Sequence, residues 1–213
     1  MKRLFDLLIL IFTFPFWGAV ILFSYIINIL LEGFPGFYFS RRYVGNGKNI
    51  KVAKIRVMKK NIDKKLNRDT IQVKDQLFLN LPNSKSIYTN FGSKLESLGI
   101  TELPQFFSVI KGDMSIVGAR PLPYNVYEEL KKEFPHLASK RFNSKCGLTG
   151  LPQLIGRDFI SDEERLNLEA RYSDWANTRY SFLVDLRILA YTVLIVLGFK
   201  KYLTFKEAMR MLN

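Results

Sequence analysis

The 213 residues include one cysteine and one histidine. Cys146 alone forms neither an intramolecular disulfide nor a Cys-rich zinc site, and it reads as a plain reduced thiol. His136 alone excludes any centre needing two histidine ligands and makes a Ser-His-Asp triad remote. It follows Pro135 and reads as a surface or helix-end residue. Acidic residues are scarce too: 19 Asp and Glu face 32 Lys and Arg, a formal charge of +13. That excess implies an anionic partner, whether nucleic acid, anionic lipid or a phosphorylated substrate. Internal repeats and low-complexity tracts are missing. With 48% apolar and 14% aromatic residues, the chain is too greasy for disorder. Its length suits one compact domain, or a small domain plus a membrane anchor.

One segment lacks charge altogether. Leu7 to Leu31 runs 25 residues without an ionised side chain, and about 20 apolar residues suffice to cross a bilayer as a helix. The run is longer than the apolar part of a signal peptide, and no small-residue cleavage site follows it. Two arrangements remain, a straight span and a re-entrant hairpin. Lys2 and Arg3 precede the run, while Arg41, Arg42, Lys48, Lys51 and Lys54 follow it. The positive-inside rule draws both flanks to the cytoplasmic side. A helix that enters, bends and leaves by the same face satisfies that rule. Pro15 supplies a bend, because it removes an N–H and crowds the preceding turn. Thr13 and Ser24 are available to the carbonyls so freed.

The anchor with its Gly/Pro turn is therefore assigned to residues 1–40 and a cytoplasmic domain to residues 41–213. Residues 33–40 read as a turn followed by a short extended piece. Residues 41–74 hold twelve Lys or Arg against two Asp, a basic face beside anionic lipid. Within it residues 50–58 alternate as a strand, with Lys51 and Val52 on opposite faces. Residues 60–90 read as loop. Residues 93–111 carry a helical pattern broken at Gly99 and Pro104, which predicts two short helices. Further helices are expected from Tyr124 to Phe134, ended by Pro135, and from Glu163 to Ala176. The apolar stretch Ile188 to Phe199 is short for a span and reads as an interfacial or buried helix.

Three blocks then stop looking generic: residues 101–122 (TELPQFFSVIKGDMSIVGARPL), residues 147–157 (GLTGLPQLIGR), and KRLFDLL leading into the Pro-broken apolar run with KIRVM at 54–58. In this order they resemble the bacterial sugar transferase family, the monotopic phosphoglycosyl transferases, over nearly the whole chain. The resemblance implies a mixed α/β, helix-rich globule fixed to one membrane leaflet by a re-entrant helix and amphipathic interfacial helices. It implies a bacterial protein on the cytoplasmic face of the inner membrane. The implied reaction moves a sugar 1-phosphate from a UDP-sugar to polyprenyl (undecaprenyl) phosphate, releases UMP, uses Mg²⁺ and begins glycan assembly. Lys54, Arg56, Arg120 and Arg157 are the expected phosphate ligands, arginine binding as a fork and lysine as a point charge.

The family pattern places an Asp-Glu dyad before Leu-Pro-Gln, the Asp as nucleophile and the Glu as a metal holder. Here the dyad is Thr101-Glu102. Glu102 carries over; Thr101 occupies the nucleophile position with a hydroxyl, which is not ionised at neutral pH and needs a base. Glu96 stands where the family usually has Arg, Ala119 where a Pro precedes Arg120-Pro121, and Ile55 and Val57 where Phe and Thr are usual. Glu169 occupies the place of a frequent Asp and is the second expected metal ligand. Asp113 reads as a turn or capping residue. Two functions follow: an active phosphoglycosyl transferase, or a silent relative that binds nucleotide sugar, lipid phosphate or an active transferase. Partners extend to a homo-oligomer or that partner transferase. A nucleic-acid role has no recognisable module behind it.

Overall fold

The uncharged run folds as the body of one helix, α1, Lys2–Glu32, in a computed structural model that describes residues 1–59, 88–156 and 159–212. At 1.5 Å per residue such a helix is roughly 46 Å long, against about 30 Å of bilayer hydrocarbon. By length and composition it is the one helix among the described residues that is able to cross a membrane. Pro15 lies inside it and does not end it. Side chains add bonds to carbonyls of the turn before the proline: the Thr13 hydroxyl donates to Ile9 at 2.6 Å and the Trp17 indole N–H to Leu10 at 3.0 Å.

One stripe of α1 is buried: Asp6, Leu10, Trp17, Ile21, Ser24 and Asn28. These positions recur at helical intervals, so they line one face. The opposite face leaves Phe12, Phe16, Phe23 and Leu30 exposed. Both ends of the stripe are tied to the same globule. Near the start, Lys2 Nζ donates to Asp185 at 2.6 Å, and Asp6 accepts from the Ser115 hydroxyl at 2.8 Å and the Ile116 N–H at 3.2 Å. Arg3 donates to the Val109 and Ile110 carbonyls. Near the end, Asn28 Nδ2 donates to the Arg56 carbonyl at 2.9 Å.

Strands β1 (Phe37–Tyr43) and β2 (Asn49–Ile55) pair antiparallel. Gly45, Asn46 and Gly47 make the tip, all three in the left-handed region that Gly and Asn tolerate. The expected alternation holds over the first part of β2, where Ile50 and Val52 are buried and Lys51 is exposed. Lys54 shares parity with Ile50 and Val52 and therefore points toward the interior.

The expected two short helices are α2 (Asn90–Ser97) and α3 (Phe106–Lys111), joined through a 3-10 helix over Ile100–Gln105. A second, parallel pair is β3 (Ser115–Val117) with β4 (Gly147–Thr149). Gly118 and Gly147 permit its closeness: a Cβ on Gly147 would lie 2.2 Å from the Gly118 nitrogen. Helices α4 (Tyr124–Glu133) and α5 (Pro135–Lys140) divide at Pro135, which opens the second as well as closing the first. Then come α6 (Leu151–Ile155), α7 (Asp162–Thr178), α8 (Phe182–Val196) and α9 (Phe205–Arg210).

The main core gathers Leu10 of α1, Val52 of β2, Ile116 of β3, Leu154 of α6, Leu168 and Tyr172 of α7 and Ile188 of α8. Each such side chain contributes about 1.5–3 kcal/mol on burial. Helix α8 starts earlier than the apolar run suggested. It buries Asp185 and Ile188 and leaves Phe182, Leu183, Leu186 and Val193 exposed. Asp113 pairs with Lys48 at 2.6 Å, holding the hairpin tip to the turn after α3. The loop expected over residues 60–90 lies outside the described residues as far as 87; Tyr88 bridges Met58, and α2 begins at Asn90.

Candidate active site

The site begins with a turn. Gly99, at φ 66, adopts the left-handed conformation that ends α2 and starts the 3-10 helix. That short helix presents Glu102 to β2 and to the loop after β3. Glu102 Oε1 accepts from Lys54 Nζ at 2.6 Å and from Arg120 Nη2 at 2.6 Å, and Oε2 accepts from Arg120 Nη1 at 3.3 Å. The Glu102 side chain is 19% exposed, so the cluster sits at the rim of the interior. Burial alone would raise the Glu102 carboxyl. Arg120 and Lys54 outweigh it and hold the group well below the usual carboxylate range. Burial lowers the Lys54 ammonium, and Glu102 offsets part of that. Two small clefts, of about 10 and 30 Å³, meet at Lys54 and Arg42.

Behind the cluster lies a buried ion network. Arg141, fully buried, donates from Nε to Glu169 Oε2 at 2.6 Å and from Nη2 to the Arg120 carbonyl at 2.7 Å. Glu169 Oε1 accepts from the Arg120 backbone N–H at 3.3 Å and lies 3.7 Å from Arg165 Nε. The Arg141 guanidinium stacks on Phe142 at 4.7 Å. Both backbone polar groups of Arg120 are therefore held from behind, which leaves its side chain pointing forward from a fixed base. Cys146 packs near this network, and burial pushes its thiol up to about 12, so it is inert at neutral pH.

The structure brings Lys54, Glu102 and Arg120 together and puts Thr101 beside them. It does not bring all the expected residues. Arg56, expected to bind phosphate, turns to the anchor. It donates to the carbonyls of Glu32 (3.0 Å), Gly33 (2.7 Å), Pro35 (2.7 Å) and Met58 (3.1 Å). These bonds occupy four of its five N–H groups and make it a clamp on the end of α1. Glu169, expected at a metal, instead neutralises two buried arginines. Arg157 lies outside the described residues. Thr101 is 1% exposed, and its hydroxyl donates to Glu96 Oε2 at 2.6 Å. Ala119 is buried and its carbonyl accepts from the Gly147 N–H at 2.8 Å, so the departure from Pro here leaves a tight β-type contact.

Arg141 escaped the sequence reading. It stands in a basic, polar stretch, SKRFNSK (139–145), with the composition of a solvated surface. No local signal marks it; its partner Glu169 is 28 residues away.

Divalent-cation binding can be tested against the donor set. Among the described residues no three His, Cys, Asp or Glu side chains converge, so an all-protein cage is not formed. Mg²⁺ commonly takes one or two carboxylates and completes its shell with substrate phosphates and water. Glu102, partly open and flanked by the Lys54 and Arg120 side chains, fits that limited role; Glu169 does not.

A long apolar helix is locked to a globule in which Lys and Arg gather around one carboxylate. The chain belongs to the bacterial sugar transferase family, whose sequence pattern matches residues 1–199. It is 36% identical over 193 residues to the uncharacterized sugar transferase EpsL of Bacillus subtilis, covering 91% of this chain and 85% of that one. It is 31% identical over 201 residues to the galactosyl transferase CpsE of Streptococcus agalactiae, covering 92% of this chain and 42% of that one. The UDP-glucose:undecaprenyl-phosphate glucose-1-phosphate transferase of Klebsiella pneumoniae is 31% identical over 153 residues, 71% of this chain and 30% of its own length. The chain thus spans less than half of the last two.

Proposed function

We propose that this chain transfers a sugar 1-phosphate from a UDP-sugar to undecaprenyl phosphate at the cytoplasmic face of the bacterial inner membrane. The observation that carries the reading is the convergence of Lys54 and Arg120 on Glu102, in a chain of this family whose apolar helix is bound to the same globule. Lys54 and Arg120 grip the pyrophosphate, and their charge is aimed where negative charge grows as the bond between the two phosphates breaks and UMP leaves. Glu102 is the residue that would hold Mg²⁺, which when bound would supply neutralisation of that charge. In this reading substrate phosphate would compete with Glu102 for Lys54 and Arg120, which would free a Glu102 oxygen.

The acceptor's tail never leaves the bilayer, so the cleft must lie at the interface. The attachment of both ends of α1 to one globule supports a re-entrant helix, since a straight span would carry its two ends to opposite sides. The exposed apolar face of α8 supports a second interfacial contact. With reporters fused to each terminus, neither is expected to be active in the periplasm. Periplasmic activity at one end alone would refute the re-entrant arrangement.

One observation favours a silent relative: the Thr101 hydroxyl is buried and engaged as a donor, which is a poor state for a nucleophile. The decisive assay measures UMP release from a panel of UDP-sugars with undecaprenyl phosphate and Mg²⁺, comparing wild type with Thr101→Asp. Wild-type release is expected. Release by Thr101→Asp alone would establish the silent reading. Release by neither would overturn the transferase assignment for the sugars in the panel.

A further inference from the structure

The contact between Glu96 and Thr101 has no part in gripping phosphate. Glu96 is the penultimate residue of α2, and the left-handed Gly99 turns the chain so that residues five apart meet side chain to side chain. Glu96 lines the same cleft as Lys54, and its charge raises both the Lys54 ammonium and the Arg120 guanidinium, which places it within electrostatic reach of each. Three carboxylates surround the site, and two are committed. Glu102 is clamped by Lys54 and Arg120, and Glu169 by Arg141 and Arg165. Among the described residues Glu96 forms no ion pair, and it accepts a hydrogen bond from the neutral Thr101 hydroxyl.

We propose that Glu96 is the nucleophile of sugar-phosphate transfer and that Thr101 is the positioning residue that aims it. The proposal rests on the transferase reading above. A carboxylate is ionised at neutral pH and a threonine hydroxyl is not. A Thr101 hydroxyl donating to Glu96 holds one carboxylate oxygen and leaves the other to react. The two products differ as well: an acyl phosphate passes its phosphoryl group on readily, whereas the corresponding threonine phosphodiester is far less labile. Both considerations select Glu96 over Thr101.

In the first step a Glu96 oxygen attacks the sugar-bearing phosphorus of the UDP-sugar. The oxygen–phosphorus bond forms, the bond from that phosphorus to the bridging oxygen breaks, and its electron pair leaves on UMP. In the second step an oxygen of undecaprenyl phosphate attacks the same phosphorus. The bond to Glu96 breaks and the carboxylate is regenerated. No proton needs to move and no further co-reactant is consumed.

The test uses the full chain in detergent or nanodiscs with Mg²⁺ and sugar-labelled UDP-sugars, without acceptor. A covalent adduct with the mass of a sugar phosphate is expected on the peptide containing Glu96. Hydroxylamine should discharge it, and added undecaprenyl phosphate should take up the label. Glu96→Gln should lose the adduct and lower UMP release by about 10³-fold or more. Thr101→Val should keep the adduct but form it more slowly, by about 10²-fold where aim is lost. Glu96→Gln combined with Thr101→Asp should restore an adduct, now on residue 101, because the Thr101 oxygen lies 2.6 Å from that of Glu96. Wild-type UMP release that survives Glu96→Gln would overturn the assignment. So would an adduct on Thr101 that resists hydroxylamine, or single-turnover release with no adduct, which indicates direct attack by the acceptor. Wild type that releases no UMP at all would fail the transferase reading itself, and the nucleophile would fall with it.

Discussion

Arg120→Ala is expected to lower kcat/KM for UMP release by about 10²–10³-fold, the loss seen when one preorganised donor to developing charge is removed. The reason is positional as well as electrostatic. The Arg120 guanidinium makes two of the three bonds to Glu102, and its backbone is pinned by Glu169 and Arg141. Arg120→Lys keeps the charge but not the planar fork, so it should recover only part of the loss. Glu102→Gln should fail differently. It leaves Lys54 and Arg120 facing each other without their shared anion and removes the carboxylate proposed to meet the cation, so Mg²⁺-dependent binding of UDP-sugar should be lost. Because Glu102 titrates below its ordinary 4.5 in the folded chain, its ion pairs contribute stability that is fully present above that value. The contribution fades only as pH falls through the depressed one. Calorimetric binding of UDP-sugar in the presence of Mg²⁺ checks both variants. Wild-type affinity in both would show that phosphate is read elsewhere.

The second large effect concerns stability. Glu169→Ala is expected to cost about 3–5 kcal/mol, because it leaves the buried Arg141 guanidinium without its carboxylate. Arg141 is fully buried, so water cannot replace the lost partner. A domain of this size has a total stability of about 5–15 kcal/mol, so the loss is a large share of it. Glu169→Gln keeps an acceptor for the Arg120 N–H and should fall between the two. Thermal unfolding in detergent, followed by intrinsic fluorescence, measures the difference. An unchanged midpoint in Glu169→Ala would mean that Arg141 finds another acceptor. Any folded fraction should also bind UDP-sugar more weakly, since Arg120 has lost the group holding its N–H.

Much of the architecture was written locally. A 25-residue uncharged run reads as an apolar helix, and the alternation around Val52 reads as a half-buried strand. Gly99 and Pro104 punctuate residues 93–111 as expected, because left-handed backbone and a missing N–H act on the chain wherever they stand. Pro15 shows the limit of that logic. It interrupts the helical hydrogen bonding, but Thr13 and Trp17 bond neighbouring carbonyls and the helix continues. Pro135 does two jobs, closing one helix and opening the next, where the local signal indicated only the first.

The order of the motifs placed the chain in its family and named Lys54, Glu102 and Arg120 together, since ordered blocks of residue types survive in one dimension. Which cation faces which anion is a property of three. Arg56 and Lys54 sit two residues apart with the same charge, yet Lys54 reaches Glu102 while Arg56 is drawn to the carbonyls at the end of α1. Glu169 looked like a metal ligand until Arg141, distant in sequence and surface-like in composition, proved to be buried against it. Glu96 and Thr101 are five residues apart, and the turn at Gly99 brings their side chains into hydrogen-bond contact. Propensity and patterning act over a few residues and are legible there. Charge pairing in a low-dielectric interior depends on which segments the core brings together, and that is settled only when Leu10, Val52, Ile116, Leu154 and Ile188 have packed.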